Sequence, residues 1–451
     1  MELPKKLLAA LEGVESFDKE AFEKVHATGE QVTSIRINPA KQPKTENQYS
    51  KIPWSDYGYY LNQRPSFTFD PLFHAGTYYV QEASSMFLEQ AIKQTVDLAK
   101  PQKVLDLCAA PGGKSTHIQS LISKNSLLVS NEVIRSRANV LKDNIIKWGC
   151  SNVVVTNNDP KDFARLEDYF DVIVVDAPCS GSGLFRRDPD AINEWSENNV
   201  QLCSQRQQRI LADVWPCLKM GGILIYSTCS YSKEEDEYIM DWVTDNLPTS
   251  NLQLEIDDKW GITETISEKE NHGYRCWPDK TKGEGFFLAC FQKTYGETEG
   301  YLHIKKKPGQ ATKKEVEIIS RWVNNNIDND FIKHINTVYA WPAQLTTDFS
   351  FILEQLRVLY SGTLVGELMR DKLVPDHALA MSNLLHDAIS KTELNEEEAI
   401  QYLQRKDIKK IIENRGWQIV SFQGNPLGWI NALPNRINNY YPKELRILKE
   451  R

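Results

Sequence analysis

Between residues 70 and 293 the chain alternates short apolar runs with helical stretches. The runs are Val104–Cys108, Leu127–Ser130, Val153–Val155, Val172–Val175, Ile223–Tyr226 and Phe286–Phe291. Runs of this length, with helical patterns between the earlier ones, predict βαβ units and a mostly parallel sheet. The clearest helical pattern is "RSRANVLKDNIIKWG", which Gly149 ends as a C-cap would. Ahead of this region, a short helical pattern over Ala21–His26, the alternating segment "TSIRINP" and an aromatic loop from Gly58 to Pro65 suggest a small N-terminal module over 1–70. After it, 294–316 is polar, charged and glycine-bearing, as a linker is. A mixed segment over 317–385 suggests a middle domain, and 386–451 ends in the β-rich "GWQIVSFQGNPLGWINALPNRINNYYPKELRIL".

Composition narrows the class. At 451 residues the chain calls for two to four domains, and 41% hydrophobic with 25% charged residues is a globular balance. It contains neither an 18-residue apolar span nor a secretory leader, so a cytoplasmic protein without membrane contact is expected. The net charge of −8 argues against a polyanion partner until its distribution is considered. Residues 401–451 carry ten Lys and Arg against four Asp and Glu, a local +6, which leaves −14 on the remainder. Nucleic acid could therefore bind at one place only. Eight scattered cysteines, with no CxxC pair and no Cys/His zinc spacing, predict neither a disulfide framework nor a metal site.

The chemistry clusters at one edge of the predicted sheet. "VLDLCAAPGGKSTHI" reads as strand, tight glycine turn and helix, which brings backbone close to a ligand. Glu132, at the end of the next strand, lies twenty residues beyond Gly112 and suits the two hydroxyls of a ribose. Asp159 and Asp176 end the third and fourth strands. Acids in register along the ligand-binding edge, without a GxGxxG pyrophosphate grip, favour a nucleoside such as S-adenosylmethionine.

Two cysteines belong to the same edge. Cys179 follows "DAP" and Cys229 follows "ST" at the ends of two strands, and the capping box Ser232-Lys233-Glu234-Glu235 would put Cys229 beside a helix N-terminus that favours thiolate. The others, Cys150, Cys203, Cys217, Cys276 and Cys290, read as small buried hydrophobes. A methyl donor used with a thiolate points to methylation at C5 of a pyrimidine. Thiolate addition at C6 makes C5 nucleophilic, an acid at N3 assists, and Asp176 is placed for that role.

"DLCAAPGGK", "DAPCSGSG" and "STCS", in this order, resemble the motifs of the Nop2/Sun RNA 5-methylcytosine methyltransferases, with "YYVQEASSM" and "KGEGFFLACF" as flanking motifs and "TSIRINP" as a weaker one. The C-terminal part resembles the bacterial 16S ribosomal RNA methyltransferase F type, in which a PUA-like RNA-binding domain follows the catalytic one. The resemblance implies a Rossmann-like class I α/β methyltransferase with a seven-stranded mostly parallel sheet, a small N-terminal module and a PUA-like β-rich end. It implies that Cys229 is the nucleophile, that Cys179 assists product release and that Asp176 contacts the cytosine. It also implies that Cys108, Ala109, Ala110, Pro111, Gly112, Gly113, Lys114, Ser115, Glu132, Arg137, Asp159 and Asp176 line the S-adenosylmethionine site. Relatives often have Asp where Glu132 stands, and His where Asp279 stands.

RNA contacts are expected from Arg36 in "TSIRINP", from Arg186 and Arg187 after Phe185, and from Arg436, Lys443 and Arg446. Trp417 and Trp429 read as barrel core. The expected partner is 16S RNA or the small ribosomal subunit, met by a monomer. The rivals are the same chemistry on transfer RNA, a catalytically silent assembly factor, and a DNA cytosine methyltransferase. The intact cysteine pair argues against silence, and the Thr-Cys motif and PUA-like tail argue against DNA.

Overall fold

The computed structural model describes residues 3–41, 49–298, 302–324, 326, 328–408, 410 and 414–450. Residues 299–301 of the expected linker lie outside them. At its centre is a ten-stranded sheet. Five strands are parallel neighbours, in the order Leu218–Thr228, Phe170–Asp176, Lys103–Asp106, Leu127–Asn131, Val153–Thr156. The expected apolar runs fall on strands, because each alternates between two covered faces, except that Leu107 and Cys108 of the Val104–Cys108 run lie in the turn beyond Asp106. Leu105, Val129, Ile173, Val175 and Leu224 face one core with Ile210 and Leu211 of the Glu197–Val214 helix. Val104, Leu128, Val172, Val174 and Ile223 face the other, with Ile118, Leu141 and Ile145. Full burial of such side chains stabilises by about 1.5–3 kcal/mol each.

Chain order turns back at the Lys103–Asp106 strand, with later strands added first on one side and then on the other. That switch point opens a crevice at the carboxyl ends of the strands. The predicted helix forms over Arg135–Trp148, and Gly149 ends it with φ of 96°.

The sheet has more than the expected seven strands. Phe286–Lys293, its neighbours Thr249–Leu252 and His272–Cys276, and Ile262–Ile266 beyond His272–Cys276 extend it antiparallel on one side. On the other side the edge strand is Val358–Ser361, antiparallel to Val153–Thr156. The segment expected as a middle domain is thus divided. Its Val358–Ser361 strand joins the central sheet, and Phe349, Phe351, Ile352 and Leu356 pack into the same core as Phe163 and Phe170. Its remaining strands, Thr363–Met369 and Lys372–Pro375 with Thr337–Pro342 and Asn329–His334, form a separate four-stranded sheet.

The N-terminal sheet takes its fourth strand from Tyr78–Val80, beyond the expected end at 70, and uses Gly58–Tyr60, which was expected as loop. The helix foreseen around Ala21–His26 spans Lys19–Thr28, and Phe22 packs with Phe185, Tyr231 and Trp277. The C-terminal strands Lys391–Glu393, Gly416–Phe422, Asn425–Leu433 and Arg436–Asn439 form a four-stranded sheet with Trp429 buried. Among the described residues, no helix is long and apolar enough to cross a membrane.

Candidate active site

The glycine turn follows the Lys103–Asp106 strand. Gly112 has φ of +112°, a region open to glycine, and the helix Gly113–Leu121 starts directly after it. Asp106, which sequence reasoning passed over, is buried beneath this turn and accepts a bond from Ser115 Oγ at 2.6 Å. Its other oxygen, Oδ1, is buried without a partner. Burial pushes its carboxyl up to about 7, against the Ser115 bond and the Lys114 charge. An acid inside an apolar run was the signal available in "VLDLC". Glu132 is also buried and accepts from the backbone N–H of Ile134 at 2.9 Å. Arg137 donates to the carbonyl of Ala110 at 3.0 Å, which ties the glycine turn to the Arg135–Trp148 helix. Asp159 caps the turn Pro160–Arg165 through the N–H of Lys161. A buried carboxylate oxygen with no partner, a glycine turn and an acid on the next strand fit a small ligand with cationic and hydroxyl groups.

The cysteines meet. Cys179 Sγ and Cys229 Sγ are 2.9 Å apart. The register explains this, because Asp176 pairs with Ser227 on adjoining parallel strands, and each cysteine follows a short way beyond. Gly183 makes the approach possible. Its N–H donates to the carbonyl of Cys229 at 2.8 Å, and a Cβ there would lie 2.8 Å from that oxygen and 2.6 Å from the Gly285 carbonyl oxygen. The Cys179 thiol is held well above the usual thiol range by its bond to Cys229 and by burial. Cys203, Cys217, Cys276 and Cys290 are buried, and Cys150 is half-buried.

Beside the sulfurs Lys114 Nζ pairs with Asp176 Oδ2 at 2.8 Å, and Ser227 Oγ donates to Asp176 Oδ1 at 2.9 Å. Burial opposes the Lys114 charge, but Asp176 outweighs it, with further help from Asp106 and Cys229, and holds the ammonium above its ordinary range. Lys114 was expected only among the ligand-lining residues, yet its ammonium is bonded to the acid expected to meet the base.

The capping box does not form. Ser232 makes no side-chain cap, the segment Lys233–Glu235 is a 3-10 turn, and the helix begins at Glu237. Glu235 is instead drawn to the Cys179 loop, where it accepts from the N–H of Ser180 at 2.8 Å.

Two expected RNA contacts are corrected. Arg36 is fully buried and donates to Gln81 Oε1, Gly113 O, Thr116 O, Thr116 Oγ1 and Ser120 Oγ, with its guanidinium 4.6 Å from the centre of the Trp148 ring. It braces the helix after the glycine turn and has no face left for a phosphate. Arg186 is buried in an ion pair with Glu284 at 3.0 Å, and Phe185 lies in the core. Arg187, Arg436, Lys443 and Arg446 are exposed.

The chain matches three family descriptions in order. These are the N-terminal domain of 16S rRNA methyltransferase RsmF over residues 3–83, 16S rRNA methyltransferase RsmB/F over 93–292 and the methyltransferase RsmF PUA domain over 389–447. It is 30% identical over 438 residues to the ribosomal RNA small subunit methyltransferase F of Aliivibrio fischeri (strain ATCC 700601 / ES114), covering 91% of this chain and 90% of that one. The protein of the same name from Shewanella piezotolerans is 29% identical over the same shares. Among solved structures, a methyltransferase homolog protein from Pyrococcus horikoshii superposes with a TM-score of 0.52 at 27% identity, over 64% of this chain and all of that one. With the three matched regions in their expected order and a relative matched along nine-tenths of its length, the chain belongs to the family of ribosomal RNA small subunit methyltransferases F.

Proposed function

We propose that the protein methylates C5 of a cytosine in 16S ribosomal RNA through a covalent adduct on Cys229. The observation that carries this reading is the pair of thiols 2.9 Å apart beside the Lys114–Asp176 ion pair. S-adenosylmethionine, the cofactor of this family of methyltransferases, supplies the methyl group. Asp106, the glycine turn Cys108–Ser115, Glu132, Arg137 and Asp159 are the residues that would hold it.

Cys229 Sγ, as thiolate, adds to C6 of the flipped-out base, and N3 takes a proton from the Lys114–Asp176 pair. The pair suits this role because it is a donor and an acceptor in one place, fixed by Ser227. C5 then carries the electron pair that forms the new carbon–carbon bond. A base removes the C5 proton, N3 returns its proton to the Lys114–Asp176 pair and the Cys229–C6 bond breaks, returning the sulfur as thiolate. Cys179, in contact with that sulfur, assists this last step.

The exposed cations Arg187, Arg436, Lys443 and Arg446 are the proposed phosphate contacts, and the protein is proposed to work in the bacterial cytoplasm. The test is a pair of variants incubated with RNA and S-adenosylmethionine. Cys229→Ala abolishes methyl transfer and adduct, whereas Cys179→Ala accumulates a covalent RNA–protein adduct. Methylation by the Cys229→Ala protein would overturn the nucleophile, and unchanged 5-methylcytosine in 16S RNA of a deletion strain, read by bisulfite sequencing, would overturn the substrate.

A further inference from the structure

Past the Asp176–Ser227 pair the strand register ends, and the cysteine loops are joined by the bonds from Gly183 N–H to the Cys229 carbonyl and from Tyr231 N–H to Ser182 Oγ. One carboxylate adds a link next to the thiols themselves. Glu235 is fully buried and bonds the residue following each cysteine. It accepts from Ser180 N at 2.8 Å, from Ser180 Oγ at 2.5 Å and from Ser230 Oγ at 2.6 Å. Gln207, on the Glu197–Val214 helix, adds a bond to Glu235 Oε1 at 3.2 Å and another to the carbonyl of Pro178 at 3.1 Å. Glu235 is held in turn through its own carbonyl, which accepts from Tyr226 OH at 2.7 Å.

Both oxygens are thus occupied by donors, and among the described residues no cation is paired with the carboxylate. Burial raises its proton affinity, and the serine and glutamine bonds oppose that rise. A glutamine could not reproduce the arrangement, because its amide nitrogen would face donors on one side. An aspartate would be one methylene too short to reach both loops.

We propose that Glu235 is a positioning residue that fixes the spacing of the two thiols and so couples attack by Cys229 to release through Cys179. The inference rests on the cysteine roles proposed above. With the carboxylate altered, Cys229 keeps its place at the end of its strand and Gly183 keeps its bond to the Cys229 carbonyl, but Ser180, next to Cys179, loses its link through Glu235 to Ser230. Release therefore suffers more than attack.

The experiment compares wild type, Glu235→Gln, Cys179→Ala and Cys229→Ala/Glu235→Gln with 16S RNA and S-adenosylmethionine, scoring adduct on denaturing gels along with kcat and KM. For Glu235→Gln, kcat falls about 10- to 100-fold, as misplacement of about 1 Å does. KM for S-adenosylmethionine stays within about twofold. Adduct accumulates as it does for Cys179→Ala, and the Cys229→Ala/Glu235→Gln protein forms none. A loss of kcat without adduct, or no loss at all, while Cys179→Ala does trap RNA, overturns the role of Glu235. No adduct with Cys179→Ala overturns the cysteine assignment itself, and the inference with it. Should Glu235→Gln fail to fold, Ser180→Ala/Ser230→Ala removes two of the donors and is expected to trap adduct too; its failure to do so refutes the proposal.

Discussion

Replacing Arg36 by Met separates two accounts of this residue. Its guanidinium makes five hydrogen bonds, three of them to Gly113 and Thr116 in the first turn after the glycine loop. Bonds to charged groups contribute about 1.5–3 kcal/mol each and are not additive. Against them stands desolvation, which lowers the pKa from its ordinary value to about 9, equivalent to a few kcal/mol. The balance is a net loss of about 3–5 kcal/mol for Arg36→Met, since the change also leaves buried carbonyl and amide oxygens without donors. The loosened turn carries residues proposed to hold the cofactor, so S-adenosylmethionine binding is expected to weaken as well. Urea unfolding of the free protein measures the first effect, and calorimetric titration of the cofactor measures the second. A third measurement distinguishes the accounts, because a phosphate contact contributes about one unit to the slope of log affinity against log salt. Arg36→Met leaves that slope unchanged. A stability loss under about 1 kcal/mol together with a slope reduced by about one would refute the buried-brace account.

Lys114→Met strands the Asp176 carboxylate and is expected to lower the single-turnover methylation rate about 10²- to 10³-fold; a drop of less than about threefold would show that the pair is idle in the reaction. Asp106, with its pKa raised to about 7 in the folded protein, binds its proton more tightly there than in the unfolded chain. Its contribution to stability is therefore full below the unfolded carboxylate pKa and is lost as pH rises through about 7, a change of about 4 kcal/mol. Asp106→Asn flattens the stability of the free protein between about pH 4 and 7, and parallel curves for the two proteins would exclude the effect. Arg187→Ala and Arg436→Ala each reduce the salt slope of RNA binding by about one, whereas Arg186→Ala leaves it unchanged and lowers stability.

The parallel strands were legible because each buries alternate side chains on two faces, which leaves an unbroken apolar run in the sequence. Cys179 and Cys229 could be placed on one edge for the same reason, since strand ends follow from strand runs. Other features depended on partners remote in sequence. All four residues of Ser34–Ile37 are buried, because Ser34 and Arg36 find acceptors on Gln81 and on the helix after the glycine turn. An arginine in an alternating segment otherwise reads as an exposed cation. Ser232 and Glu235 have the spacing of a capping box, but Ser180, fifty-five residues earlier, competes for the carboxylate and wins. The strand Val358–Ser361 lies in what read as a mixed segment, and nothing local says that it belongs beside Val153–Thr156.

That edge strand has a consequence for biosynthesis. Val153–Thr156 is buried along its whole length and apolar up to its terminal Thr156, and its outer hydrogen bonds go to a strand some two hundred residues later. While the chain emerges from a ribosome, the catalytic sheet has an open, sticky border for the whole time those residues take to be made. A nascent chain cut short near residue 293 would carry both cysteines and the glycine turn but no cover for that border. Cells expressing such a fragment would be expected to send it to aggregates or proteases rather than accumulate a free-standing enzyme, so synthesis of the downstream RNA-recognition region and completion of the catalytic sheet are tied to one another in time.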